Sequence, residues 1–207
     1  LASQPTSAEG LPPQPTSAEV AGVYGDHATH LVRDGSSWLV ATSTWGDFEQ
    51  PTTRAERRTA STLRVTMATS TDDLLRGSHV LDTRELPLPT DGLASIATWD
   101  PHLVRRDGQW WVGFVSARKF FDFHPALASG PGLDDLTLVG AASDRRATEG
   151  PTLLDVGDRL LLVASDGRDG RRGQRARFPV FDTTMREVGV LDAPYPTNLP
   201  WPTLARL

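Results

Sequence analysis

Three acidic residues, Asp26, Asp100 and Glu149, each stand just ahead of a short apolar segment of the chain. A carboxyl group can donate a proton, accept one, or attack an electrophilic carbon. Carboxyl groups held in different environments divide these roles between them. Since the three acids are far apart in sequence, they form one site only if the fold brings their segments together.

A four-residue motif follows each acid and occurs once more near the C-terminus. It reads THLV at 29–32, PHLV at 101–104, PTLL at 151–154 and PTLA at 202–205. The motifs start 72, 50 and 51 residues apart, and repeat periods near 50 are typical of propellers and solenoids. A polar turn and a second apolar run follow the first three copies, which predicts a β-hairpin in each unit.

The rest of the chain fits an all-β domain over residues 20–207. No ten-residue stretch combines helical periodicity with capping residues, so a helical bundle is not expected. Residues 1–19 repeat QPTSAE and lack large apolar side chains, which predicts a disordered tail or linker. A β-sandwich is the alternative fold, but regular spacing of the motif favours a β-propeller. A fourth unit opens at Pro200, so we expect the propeller to be incomplete at the C-terminus.

Composition excludes several function classes. The 21 basic and 26 acidic residues give a net charge of −5, without the basic excess of a nucleic-acid-binding surface. The absence of cysteine excludes disulfides and thiol chemistry. No apolar run approaches the roughly 20 residues of a membrane span. Neither a secreted nor a cytoplasmic location is favoured, and the oligomeric state is open.

Two motifs resemble those of a known enzyme superfamily. Residues 99–104, WDPHLV, and 149–154, EGPTLL, resemble strands of the five-bladed propeller glycoside hydrolases, which include arabinanases, β-xylosidases, invertases and levansucrases. The resemblance implies a five-bladed β-propeller, of which this chain covers three blades and the start of a fourth. It also implies that Glu149 is the general acid, Asp100 the transition-state stabiliser and Asp26 the base or nucleophile. Hydrolysis of a glycosidic bond requires such a set of carboxyl groups.

The chain departs from the superfamily pattern at two positions. Trp99 replaces the arginine of the invertase-type motif, and Ala28 stands where the base is usual. Asp26 lies two residues before Ala28, and alternation along a strand predicts that it points to the same face. The alternative is that Asp26, which follows Gly25, caps a turn.

Other residues are predicted to shape a carbohydrate-binding cleft through aromatic, polar and charged side chains. No metal ligand set is predicted, since the histidines lack a zinc-binding spacing; the resemblance leaves a structural Ca²⁺ in the channel as an alternative. The predicted substrate-binding residues are His27, His30, Trp45, Trp99, His102, Phe121, Asp166, Arg168 and Trp201.

The predicted function is hydrolysis of glycosidic bonds in small or furanose-rich glycans. One alternative is a non-catalytic propeller that binds carbohydrate or protein, which Ala28 favours. Another is a phosphorylase or transferase that uses the arginine-rich segment 168–177 to hold phosphate. The expected partner is a carbohydrate, and neither nucleic acid nor a membrane is expected to bind.

Overall fold

The computed structural model describes residues 23–35, 37–46, 59–67, 79–119, 122–168, 171, 173–197 and 202. In these residues the secondary structure is entirely β, with strands arranged in three four-stranded antiparallel sheets. The tail predicted over residues 1–19 lies outside the described residues. Among those described, there is no helix of the length and apolar character that crossing a membrane requires.

Each sheet is a meander in which every strand pairs with the next strand in the chain. We call the sheets blades I, II and III. Blade I contains β1 Val23–Asp34, β2 Ser37–Gly46, β3 Thr59–Met67 and β4 His79–Glu85. Blade II contains β5 Ala97–Arg106, β6 Gln109–Lys119, β7 Asp122–Gly130 and β8 Thr137–Ala141. Blade III contains β9 Thr148–Asp155, β10 Leu160–Asp166, β11 Arg175–Phe181 and β12 Glu187–Thr197.

The predicted hairpins are the first two strands of each blade. In blade II the hairpin turns at Asp107 and Gly108, which have φ angles of +51° and +76°. Two consecutive positive φ angles are the signature of a type I′ turn, whose twist matches that of the flanking strands. The Asp-Gly pair therefore explains why the chain reverses within two residues there.

Apolar side chains between the blades hold the sheets face to face. Leu39 of blade I packs with Leu103 and Val112 of blade II. Leu127 of blade II packs with Leu162 of blade III in a second cluster. Burial of each such side chain contributes about 1.5–3 kcal/mol. The first strands of successive blades also contact each other, β1 with β5 and β5 with β9, which positions the residues that begin each hairpin.

Candidate functional site

The first strand of every blade is bent by a β-bulge at the same place in the repeat. The register shifts between His27 and His30 in blade I and between Trp99 and His102 in blade II; blade III has the matching irregularity opposite Val163–Ser165. The residue within the bulge has a positive φ in each blade: Ala28 +51°, Asp100 +52° and Gly150 +62°. This region disfavours side chains with a Cβ, so a shared tertiary arrangement must impose it.

The bulges of the three blades surround one cleft of about 170 Å³. Each blade contributes the bulge residue and the two that follow it, and the opening of the next unit contributes a proline. The lining residues are Ala28, Thr29, His30, Asp100, Pro101, His102, Gly150, Pro151, Thr152 and Pro202. Residues distant in sequence thus meet because they hold equivalent positions in the repeat.

Asp100 is the acidic residue that lines this cleft, and only 4 % of its surface is exposed. Its carboxylate contacts both neighbouring blades. The Ser43 hydroxyl of blade I lies 3.3 Å from Oδ1, and the Gly150 N–H of blade III donates to Oδ2 at 3.1 Å. Burial raises the pKa of Asp100 to about 7, and the charge of Glu149 adds to the rise, whereas the two hydrogen bonds oppose it.

Glu149 precedes the bulge residue of blade III and lies beside the cleft rather than among its lining residues. Burial raises the pKa of Glu149, while a hydrogen bond from Trp99 favours its ionised form. Trp99 itself packs edge-on against Phe123, with ring centroids 5.2 Å apart. Burial thus raises the pKa of both carboxyl groups, so each holds a proton at higher pH than an exposed acid does.

His30 and His102 occupy equivalent positions, and their rings stack at 3.7 Å between centroids. Each ring accepts a backbone hydrogen bond from the next blade: Leu103 N–H donates to Nδ1 of His30 at 2.9 Å, and Leu153 N–H donates to Nδ1 of His102 at 3.3 Å. Thr152 continues the series, since its hydroxyl donates to the carbonyl of Pro202 at 3.0 Å. This repeat position therefore links each blade to the next.

Protonation of these rings should destabilise the fold, because a protonated ring cannot accept the N–H. Burial lowers the pKa of His30 to about 4 and that of His102, which also faces His30, to about 3. In the unfolded chain both histidines bind protons below about pH 6.5, whereas in the folded protein they stay neutral. The contribution of each ring to stability is therefore complete above about pH 6.5 and is lost as the pH falls toward the folded-state pKa.

We expect His102→Asn to make the protein less sensitive to acid. Asparagine keeps an acceptor near Nδ1 but does not titrate. Between pH 7 and 4.5 the free energy of unfolding should fall by about 2–3 kcal/mol less in the variant than in the wild type. Denaturant unfolding at both pH values measures this difference. Equal losses in the two proteins would show that His102 does not have this role.

The same hydrogen bonds bear on metal binding. Because Nδ1 of each histidine accepts an N–H, the ring proton lies on Nε2, and neither nitrogen has a lone pair free for a metal. Ca²⁺ also prefers oxygen ligands. No group of three or more metal-ligating side chains occurs within the described part of the chain. The two histidines therefore do not fit as direct ligands, and the structural Ca²⁺ stays an untested expectation.

The remaining predicted site residues fall into two groups. Asp26, His27 and Trp45 have a described backbone, in which Asp26 pairs with Thr44 of β2, but their side chains lie outside the described residues. Phe121 and Trp201 lie outside them altogether. Because the bulge at Ala28 interrupts the pleat, simple alternation does not carry across it to Asp26. The base role of Asp26 stays a prediction.

Asp166 and Arg168 lie at the end of β10 and do not line the cleft. Asp166 is buried and accepts a hydrogen bond from Nη1 of Arg145 at 3.0 Å and one from the Arg168 backbone at 2.8 Å. The Arg168 side chain is half exposed, with Nε 4.0 Å from Asp166. These contacts give Asp166 a structural role in the described residues, and its predicted role in substrate binding is untested.

Sequence reasoning missed Ser43, Thr152 and the N–H of Gly150. Ser43 lies on the second strand of its blade, outside the repeated motif, and the signal for it was a serine that recurs 14 or 15 residues after the start of the motif, as Ser43, Ser116 and Ser165. Thr152 and Gly150 could have been found by aligning the repeats, which places Thr152 with His30 and His102, and Gly150 with Asp100. Equivalent positions in a propeller meet around one axis, and that was the usable signal.

Comparison with known proteins finds similarity in structure but not in sequence. No protein-family profile matches the chain. No curated protein sequence matches it either. Three similar solved structures are carbohydrate-active enzymes. The Bombyx mori GH32 beta-fructofuranosidase superposes with a TM-score of 0.52 at 13 % identity, over 79 % of this chain and 37 % of that one.

The sucrose-6-phosphate hydrolase from Lactobacillus gasseri gives a TM-score of 0.53 at 11 % identity, over 75 % of this chain and 32 % of that one. A GH43_1 enzyme from Xanthomonas citri, in complex with xylotriose, gives a TM-score of 0.51 at 14 % identity, over 81 % of this chain and 56 % of that one. The chain thus spans about a third of the length of the first two enzymes.

These similarities confirm the predicted all-β propeller fold. At such low identity they show the fold alone, which this chain shares with part of each of these enzymes. The described residues form three blades of it.

Proposed function

We propose that this chain contributes to a glycoside hydrolase in which the cleft at the bulges is part of the sugar-binding site. One observation carries the proposal: the N–H of Gly150, the residue after Glu149 in blade III, donates to Oδ2 of Asp100 in blade II at 3.1 Å, so acids of successive blades lie at one cleft. Glycoside hydrolysis needs an acid to protonate the leaving oxygen and an anion to balance positive charge on the sugar ring. Two carboxyl groups from neighbouring blades support that division of roles.

Glu149 is the proposed proton donor and Asp100 the proposed stabilising anion. Both oxygens of Asp100 already have hydrogen-bond partners, Ser43 and Gly150, which favour its ionised form. Glu149 is more exposed than Asp100 and so is better placed to reach a leaving oxygen. In the free protein the more deeply buried Asp100 competes with Glu149 for a proton. Positive charge that develops on a bound sugar favours the anion of Asp100, so the proton is then held by Glu149.

Asp26 is the proposed base or nucleophile, on the position of its backbone in β1, beside the bulge of blade I. The three blades would then each contribute to the site.

The similar structures suggest sucrose, sucrose 6-phosphate and xylotriose as first substrates, and the resemblance of the sequence motifs adds aryl arabinofuranosides. We expect hydrolysis of at least one of them, measured as release of reducing sugar or of the aryl alcohol. The assay should be run with and without phosphate. Turnover of none of these substrates would contradict the proposal, and turnover only with phosphate would favour a phosphorylase.

A non-catalytic carbohydrate-binding propeller is the second candidate, and Ala28 favours it. Ala28 shares the bulge position and the positive φ of Asp100 but has no acid. If sugars bind, as measured by calorimetry, and none is cleaved, this second function is supported instead.

A further inference from the structure

We propose that Ser43 is a positioning residue that holds Asp100 in the bulge from the neighbouring blade, with its hydroxyl aimed at the acid of the cleft. Ser43 lies in the middle of β2, paired with His27 on one side and Ser61 on the other. It is fully buried and comes from a different blade, 57 residues away in sequence. The contact between Ser43 and Asp100 rests on geometry alone, whereas the effect of Ser43 on catalysis rests on the proposed function.

The Ser43 hydroxyl contacts Asp100 twice. Its oxygen accepts the backbone N–H of Asp100 at 2.7 Å, and the hydroxyl is 3.3 Å from Oδ1, to which it donates when Asp100 is ionised. The first contact satisfies a buried backbone donor at a residue with a φ of +52°. A buried N–H without a partner is costly, so this contact favours the bulged conformation.

The second contact acts on the charge of Asp100. A donor beside a buried carboxylate stabilises the ionised form. The titratable groups around Asp100 in the described residues are Glu149 from β9 and the cleft residues His30 and His102. Of these, Glu149 opposes ionisation of Asp100, and the neutral histidines carry no charge near pH 7. Ser43 and the Gly150 N–H are therefore the groups that favour the anion.

The test replaces the hydroxyl and measures the titration of Asp100 directly. In Ser43→Ala we expect the titration midpoint of the Asp100 carboxyl group, followed by carbon-13 NMR, to rise by about one pH unit. This is about a tenfold loss of acidity. On the proposed function, the acid limb of kcat/KM should move to higher pH by the same amount. A purely structural role would lower kcat/KM at every pH and leave the limb in place.

Two further variants isolate the hydroxyl. Ser43→Thr retains it, and the Asp100 midpoint should stay near that of the wild type. Ser116→Ala is the matched control, because Ser116 is also fully buried on the second strand of its blade but its hydroxyl has no partner in the described residues. Neither the midpoint nor the pH profile should move in Ser116→Ala.

The outcomes separate this inference from the proposed function. An unchanged Asp100 midpoint in Ser43→Ala would overturn the role of Ser43, even if the protein hydrolyses glycosides. A shift of equal size in Ser43→Thr would also overturn it, because the hydroxyl would then not be the cause. A raised midpoint in a protein that hydrolyses no glycoside would support the contact and contradict the proposed function.

Discussion

Glu149→Gln is expected to slow hydrolysis of glycosides with a sugar leaving group by about 10²–10⁴-fold, the usual contribution of a general acid. Glutamine fills the same space but cannot protonate the departing oxygen. Aryl glycosides with strongly acidic leaving groups need no such proton and should be slowed far less. Comparing kcat/KM for the two kinds of substrate measures the proton-donor role directly.

The matched control is Glu85→Gln, since Glu85 is an exposed acid in the outer strand of blade I, away from the cleft. It should leave both rates unchanged. If Glu149→Gln slows both kinds of substrate equally, Glu149 does not act as the acid. If it slows neither, the residue has no part in the reaction.

Asp100→Asn is expected to abolish activity while making the protein more stable at alkaline pH. In the folded state the pKa of Asp100 is about 7, whereas the unfolded chain has the ordinary value of 3.8. The stabilising effect of the protonated form is complete below pH 3.8 and is lost as the pH rises to 7. Above pH 7 the buried charge costs on the order of 4 kcal/mol, which Asn would remove.

The measurement is the free energy of unfolding at pH 4 and pH 8.5 for both proteins. The gain in Asp100→Asn should appear at pH 8.5 and be small at pH 4. Asp107→Asn controls for the backbone, because Asp107 has the same positive φ but its side chain is exposed. A gain that is equal at both pH values, or equal in Asp107→Asn, would show that buried charge is not the cause.

Asp100 and the two histidines have opposite effects on stability between about pH 4 and pH 7. The contribution of the histidines grows as the pH rises to about 6.5, whereas that of Asp100 is lost as the pH rises to about 7. A functional site that weakens the fold at working pH is a common compromise in enzymes.

The repeat made the hairpins predictable. Apolar runs after His30, His102 and Thr152 encode strands, and turns such as Asp107–Gly108 carry their own backbone preference. The three acids could be predicted as site residues because they precede these strands. Their positions could not be predicted, because the bulge requires a positive φ at Ala28 and Asp100, and sequence indicates a positive φ mainly where glycine occurs.

Contacts between blades were not predictable from local pattern. Ser43 reaches Asp100 because two sheets pack face to face, and the sequence around Ser43 does not indicate which residue its hydroxyl contacts. The role of His30 and His102 as acceptors for the next blade likewise depends on the packing of first strands. The predicted role of these histidines in substrate binding stays a prediction: both line the cleft, and Nδ1 of each ring accepts a backbone hydrogen bond.

The proposed site requires that acids from separate blades act on one another. The pKa of Asp100, followed by carbon-13 NMR in the Glu149→Gln variant, measures that interaction. Removing the charge of Glu149 should lower that pKa clearly from its wild-type value near 7. An Asp100 that titrates identically in the variant and the wild type would mean that the two carboxyl groups do not meet.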